Sequence, residues 1–159
     1  ERLGDVEILF NDPTSKIINI DHHKSNWYYG DINLVIGDYS STCEIVYELI
    51  KHGKFPLPTS SMDSLYTGIC TDTGRFLYPA ATDSTLKAAS ELIECGADKR
   101  RIMYYLYENE SIESKRLKIE ILSKSEFYFD NKLVLSSVTL KQASDYNSTI
   151  SEVDEVVNE

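Results

Sequence analysis

Apolar residues recur along this chain with two different periods, and the switches between them mark its elements. Two short apolar runs come first, Ile17-Ile18 with Ile20 beyond Asn19 and then Leu34-Val35-Ile36. Their length and polar boundaries predict buried strands over Lys16–Ile20 and Asn33–Ile36, the second ended by Gly37-Asp38. Ahead of them, Asp5–Phe10 reads as a turn and a half of helix closed by Asn11-Asp12-Pro13. From residue 41 the spacing turns helical. Ser41 and Glu44 have capping-box spacing and open a helix to His52, with Ile45, Val46, Leu49 and Ile50 on its apolar stripe. Gly53 suits the left-handed residue beyond that helix, and Pro56 and Pro58 keep the linker extended. A second helix starts after Thr59 or Ser60, carries Met62, Leu65, Tyr66 and Ile69, and stops in Thr71-Asp72-Thr73-Gly74-Arg75-Phe76. Thr82 or Asp83 caps a third, with Leu86, Ala89, Leu92 and Ile93 inward and Gly96 closing it. Asp98 caps a fourth (Ile102, Met103, Leu106), and a fifth runs from Ser111 to Leu122 with Leu117, Ile121 and Leu122 as its apolar positions.

The period then returns to two. Phe127-Tyr128-Phe129, Asp130-Asn131 and Leu133-Val134-Leu135 alternate and turn like a β-hairpin. A short helix follows from Thr139, and residues 151–159 read as the first turns of another. Strands alternating with capped helices predict an α/β fold, a parallel sheet flanked by helices. Two strands before residue 40 are few for such a sheet, so it is expected to be incomplete at the N-terminus, with further strands upstream. The change of character divides the chain into residues 1–125, a catalytic-type domain, and 126–159, the hairpin and helical start of a second.

Composition narrows the class. The chain has 159 residues, 42% hydrophobic, with no apolar run near the roughly 18 residues a membrane helix needs. Its 26 acidic against 16 basic residues repel polyanions, so a large basic DNA-binding surface is not expected. A phosphate-bearing substrate stays compatible if bound cations supply positive charge locally. Cys43, Cys70 and Cys95 are odd in number and lack CxxC spacing, which argues for a reducing compartment, the cytoplasm, and against a disulfide framework.

The chemistry gathers where the first strand ends, in Asp21-His22-His23. The chain has three histidines, and two of them stand side by side here. Ligands in parallel sheets collect at such carboxyl ends. Asp21 alone reads as a loop or cap residue; the paired imidazoles shift the balance towards function. Imidazole and carboxylate are the usual ligands of manganese, iron, zinc and magnesium, and His22 with Asp72 is the best such pair. Asp21 could orient an imidazole, and His23 could donate to a phosphate oxygen or a leaving group. Asp72-Thr73-Gly74 alone is an ordinary helix-ending turn, and Arg75 by default a solvated arginine. Trp27, Tyr28 and Tyr29 suit an edge plug as well as base stacking, Tyr104, Tyr105 and Tyr107 suit core and interface, and His52 suits a helix end.

Ile20-Asp21-His22-His23 resembles the signature motif of the DHH phosphoesterase superfamily, and Gly68-Ile-Cys-Thr-Asp-Thr-Gly-Arg-Phe76 resembles its fourth motif. Ser40-Ser-Thr-Cys-Glu-Ile-Val-Tyr-Glu-Leu49 is also similar to the family, and Asp-Thr-Gly-Arg-Phe is most similar to the oligoribonuclease (nanoRNase) and pAp phosphatase branch. The likeness covers roughly residues 1–125. It implies manganese-dependent, two-ion phosphoester hydrolysis, with magnesium or another divalent ion as substitute. By the same resemblance His22 and Asp72 ligate one ion, Asp21 buttresses the site, and His23 contacts the scissile phosphate or assists the leaving group. Arg75 is the candidate substrate-binding residue. The implied substrates are short RNA oligonucleotides and 3′,5′-bisphosphorylated adenosine, with cyclic or linear dinucleotides in related branches; a homodimer is compatible. The family's first two motifs and its Gly-Gly-Gly-His stretch match no position here. The chain therefore resembles the central piece of a longer enzyme, inactive by itself, and a non-catalytic nucleotide- or metal-binding module is the alternative.

Overall fold

In the computed structural model, which describes residues 14–147, the first apolar run becomes strand β1, Ile18–Asp21, and the second becomes β2, Ile32–Val35. They pair in parallel, Ile18 opposite Ile32 and Asp21 opposite Val35. The helical segments expected at 5–10 and 151–159 lie outside the described residues. Asp21 is thus the last rung of the ladder rather than the first residue of the loop. β1 is not buried on both faces, as its apolar run suggested. Ile18 is 62% exposed and its partner Ile32 60%, whereas Asn19 is 3% exposed. Strand alternation places Ile18 and Ile20 on one face and Asn19 and Asp21 on the other, and hydrogen bonding, described below, draws Asn19 inward. Parallel strands normally need a crossover of a dozen or more residues built around a helix. Here residues 22–31 make it without any helix or strand.

Helix α1, Thr42–Gly53, packs against β1. Ser41 caps it by accepting from the Glu44 amide at 3.0 Å. The other half of the expected capping box does not form: Glu44 reaches past Ser41 and accepts from the Ser40 amide (3.1 Å) and hydroxyl (2.6 Å). At the far end the left-handed residue is Lys54, φ 53°, not Gly53, which stays inside the helix. Phe55 folds back over Gly53 so closely that a Cβ there would strike its ring, so the glycine answers a close approach rather than a backbone angle.

Helix α2, Thr59–Asp72, buries Met62, Leu65, Tyr66 and Ile69, as its spacing predicts, together with Cys70. Gly68 lets α1 come close, since a Cβ there would meet the Cys43 sulfur. Helix α3, Asp83–Glu94, opens on a Thr82–Thr85 capping box. Its inward stripe is Thr85, Ala88, Ala89 and Leu92; the expected Leu86 and Ile93 are 53% and 40% exposed. The face is turned because the Thr85 hydroxyl reaches Glu44 at 2.9 Å. In α1, likewise, Leu49 lies outward, and Tyr47 is buried with its hydroxyl on Glu91 at 2.7 Å. Asp98 caps the short α4, Lys99–Met103, by accepting from the Arg101 amide.

Two compact units divide between Ile102 and Met103. The second begins with a π-helical turn, Tyr104–Glu108, where Tyr104 and Tyr105 stack edge-on and stand exposed instead of entering a core. Helix α5, Ile112–Ser123, capped by Ser111, buries Leu117 and Ile121 against Ala143 of α6, Leu140–Asp145, with Val138 and Tyr146 packed beside them. Leu122 faces outward. Strands β3, Glu126–Tyr128, and β4, Leu133–Leu135, form the expected hairpin, and Thr139 with Gln142 makes a complete capping box for α6. No described helix is long and apolar enough to cross a membrane.

Candidate metal and phosphate site

The ladder delivers Asp21 and the chain turns at once. The amides of His22 and His23 both donate to Asp21 Oδ1, at 2.7 and 3.1 Å, so the carboxylate itself builds the turn. The same oxygen lies 2.7 Å from His23 Nδ1, and the other, Oδ2, accepts from Asn26 Nδ2 at 2.6 Å. Desolvation pushes the Asp21 carboxyl up, but the bonds from Asn26, His23 and the two amides outweigh it and hold the group well below the ordinary carboxylate range. Asp21 is therefore ionised at neutral pH and can only accept. The proton on this side of the His23 ring must sit on Nδ1, which leaves the lone pair of the neutral ring on Nε2.

The two imidazoles meet edge to face, 4.3 Å between centroids. His22 Nε2 lies 3.6 Å from Asp72 Oδ2, which α2 delivers as its last residue. That distance is too long for a hydrogen bond. It is compatible with two ligands on one ion, since atoms about 2.1 Å from a shared cation stand about 3.0–3.6 Å apart. The carboxyl end of α2 also carries the negative pole of the helix, which favours a cation there. One ligand atom each from Asp21, His22 and His23 lies within 4.8 Å of the others.

Behind Asp72 the turn is held by Thr73, which is fully buried. Its hydroxyl donates to the Ile69 carbonyl at 2.7 Å and accepts from the Phe76 amide at 3.1 Å. Gly74, Arg75 and Phe76 are all left-handed, φ 53°, 63° and 66°, and the Phe76 ring packs 6.0 Å from that of Tyr66. Arg75 is exposed, three residues past Asp72 in this turn. Burial, and then the Asp72 charge, push the Cys43 thiol up, so it is not poised as a nucleophile.

Of the residues singled out from sequence, Asp21, His22, His23 and Asp72 converge; Arg75 lies in the adjoining turn. Asn26 and Thr73 are the residues that reading passed over. Asparagine is depleted in strands, so Asn19 in β1 and Asn33 in β2 were a signal that polar contacts organise this sheet end.

No described protein family matched the chain as a profile. Individual relatives do. The chain is 34% identical over 152 residues to the bifunctional oligoribonuclease and PAP phosphatase NrnA of Bacillus subtilis, covering 90% of this chain and 46% of that protein. It is 32% identical over 146 residues to a probable protein of the same name from Streptococcus mutans, 89% of this chain and 45% of the relative. The crystal structure of an exopolyphosphatase-related protein from Bacteroides fragilis superposes with a TM-score of 0.89 at 28% identity, covering 99% of this chain and 46% of that one. The chain spans just under half the length of these relatives. Over that span the chain is similar to the bifunctional oligoribonuclease and PAP phosphatase proteins, the branch that its Asp21-His22-His23 and Asp72–Phe76 motifs resemble.

Proposed function

We propose that this chain contributes part of the catalytic centre of a metal-dependent phosphoesterase that hydrolyses short RNA oligonucleotides and 3′,5′-bisphosphorylated adenosine. The observation that carries the reading is the 3.6 Å approach of His22 Nε2 to Asp72 Oδ2 at the meeting of a strand end and a helix end. Imidazole plus carboxylate at a negative helix pole suits manganese, with magnesium as the alternative. His22 and Asp72 would hold the ion. A divalent ion there would neutralise phosphoryl oxygens and make a bound water acidic.

The remaining roles belong to the side chains. Asp21 keeps the Nδ1 proton of His23 in place, so that Nε2 faces the phosphate and, when protonated, donates to it or to the leaving oxygen. Arg75 pairs with a second phosphate oxygen. The names of the relatives support the substrate class, and the acidic composition favours small anions whose charge is met by metal rather than by lysine and arginine.

The test uses the full-length protein with manganese and a panel of an RNA dinucleotide, 3′,5′-bisphosphorylated adenosine, a cyclic dinucleotide and inorganic polyphosphate. Expected are metal-dependent turnover of the first two and a loss of about a hundredfold or more in His22→Ala and Asp72→Ala, with the fold retained. Near wild-type turnover by either variant removes the ligand assignment. Preference for the cyclic dinucleotide or polyphosphate redirects the substrate.

A further inference from the structure

Three asparagines link the sheet to the site. Asn19 Nδ2 donates to Asn26 Oδ1 at 2.7 Å and to Asn33 Oδ1 at 2.9 Å. Asn26 Oδ1 also accepts from the Tyr28 amide at 2.8 Å, while its Nδ2 donates to Asp21 Oδ2 at 2.6 Å and contacts Asn19 Oδ1 at 3.3 Å. Asn33 closes the far side through the Gly30 carbonyl and amide, at 2.7 and 3.0 Å. The crossover between β1 and β2 has no backbone ladder of its own, so these amides substitute for one.

The three are not equivalent. Asn33 ties loop to strand, its hydrogen bonds going to Asn19 and Gly30. Asn26 does the same work but spends its donor on the carboxylate that holds His23. Its amide does both at once: the oxygen accepts from Asn19 and Tyr28, and the nitrogen donates to an ionised acid.

We infer that Asn26 is a positioning residue of the site: its amide fixes the rotation of the Asp21 carboxylate, and through it the tautomer and aim of His23. With Oδ2 clamped by Asn26, Oδ1 must face the His23 ring. Without the clamp only the His22 and His23 amides on Oδ1 oppose rotation of the carboxylate about its last bond, and the hold of Asp21 on the Nδ1 proton of His23 weakens. The consequence for turnover rests on the function proposed above; the consequence for His23 does not.

The experiment pairs Asn26→Ala with Asn33→Ala in the full-length protein and reads two quantities. The first is the nitrogen NMR signature of the His23 ring, in metal-free and substrate-free protein. Unaltered protein and Asn33→Ala should show the Nδ1–H tautomer, and Asn26→Ala should move towards the Nε2–H form preferred by free imidazole. The second is the rate. Asn26→Ala should lower kcat about 10- to 100-fold with KM within about twofold, and Asn33→Ala should leave both within about twofold. If Asn26→Ala folds poorly, Asn26→Leu keeps the volume, removes the donor and should shift His23 in the same direction. An unchanged His23 signature in both Asn26 variants, or equal shifts in Asn26→Ala and Asn33→Ala, overturns the inference. An unaltered protein with the Nδ1–H signature but no turnover of either substrate sinks the proposed function and leaves Asn26 decided by the spectrum.

Discussion

Glu44 is 1% exposed at the start of α1, and the hydrogen-bond donors on its carboxylate are the amide and hydroxyls of Ser40, Ser84 and Thr85. A carboxylate taken out of water is costly unless its lone pairs are met. Here four donors meet them, and they come from both sides of the α1–α3 contact. Among the described residues no buried side-chain nitrogen or oxygen lacks a partner, so removing the acceptor takes it from the buried donors of Ser40 and Thr85 at once, while the exposed Ser84 hydroxyl can turn to water. Glu44→Ala should cost about 3 kcal/mol. Glu44→Gln keeps the shape and one acceptor oxygen, and the Ser84 hydroxyl can turn to accept, so about 1 kcal/mol is expected. Urea midpoints at unchanged slope measure both. Equal losses would mean that the cavity, not the bonding, sets the cost.

At the scale of elements, the turn after α2 decides where Asp72 points. The Thr73 hydroxyl bonds backward to Ile69 and forward to Phe76, which fastens a run of left-handed residues that cost about 1 kcal/mol each where they are not glycine. Thr73→Val keeps the shape and loses both bonds. It should lower stability by about 1–2 kcal/mol and reduce turnover, while Thr73→Ser restores both. A Thr73→Val protein with undiminished turnover would show that Phe76 packing alone holds Asp72. What could be read in the sequence at this scale was local. The caps at Ser41, Thr82 and Asp98, and the helix starts at Ser111 and Thr139, stand where hydroxyl or carboxylate precedes a helical stripe, because capping depends on residues three apart. The motif residues Asp21, His22, His23 and Asp72 were visible for the same reason, as polar side chains packed into element ends. Helix facing was not visible. Leu86 and Thr85 differ in facing because Glu44, forty-one residues earlier, draws Thr85 inward. Nor did hydropathy reveal that Asn19 rather than Ile18 would be the buried residue of β1, since only the pairing with Asn26 and Asn33 satisfies that amide.

Over the whole molecule the surplus of acid sets two effects against each other. The formal net charge is −10 and the sequence pI about 4.8, so acidification from neutral pH relieves self-repulsion and should stabilise. Against this, the carboxyls of Asp21, Asp31, Asp63, Glu91, Glu110 and Glu120 are all held below their ordinary values. For Asp21 and Glu110, hydrogen-bond partners overcome desolvation; Asp31 and Asp63 take a backbone amide first, and Glu91 and Glu120 a lysine first. A depressed carboxyl contributes stability that is present above its unfolded value, about 3.9–4.3, and is lost as pH falls through its folded one. Most of these groups are solvent-exposed, so each contributes little. They still act at contact distance, as with Lys51 on Glu91 at 2.5 Å, whereas repulsion between acids that are not in contact is screened within about 10 Å at 0.1 M salt. Contact should win. The thermal midpoint is expected to hold level from about pH 8 to 5.5 and to fall from about pH 5 towards 2, with 0.5 M salt at pH 7 changing it little. A midpoint that climbs between pH 7 and 4.5, and climbs with salt at pH 7, would show that repulsion among the surplus acids outweighs the paired carboxylates.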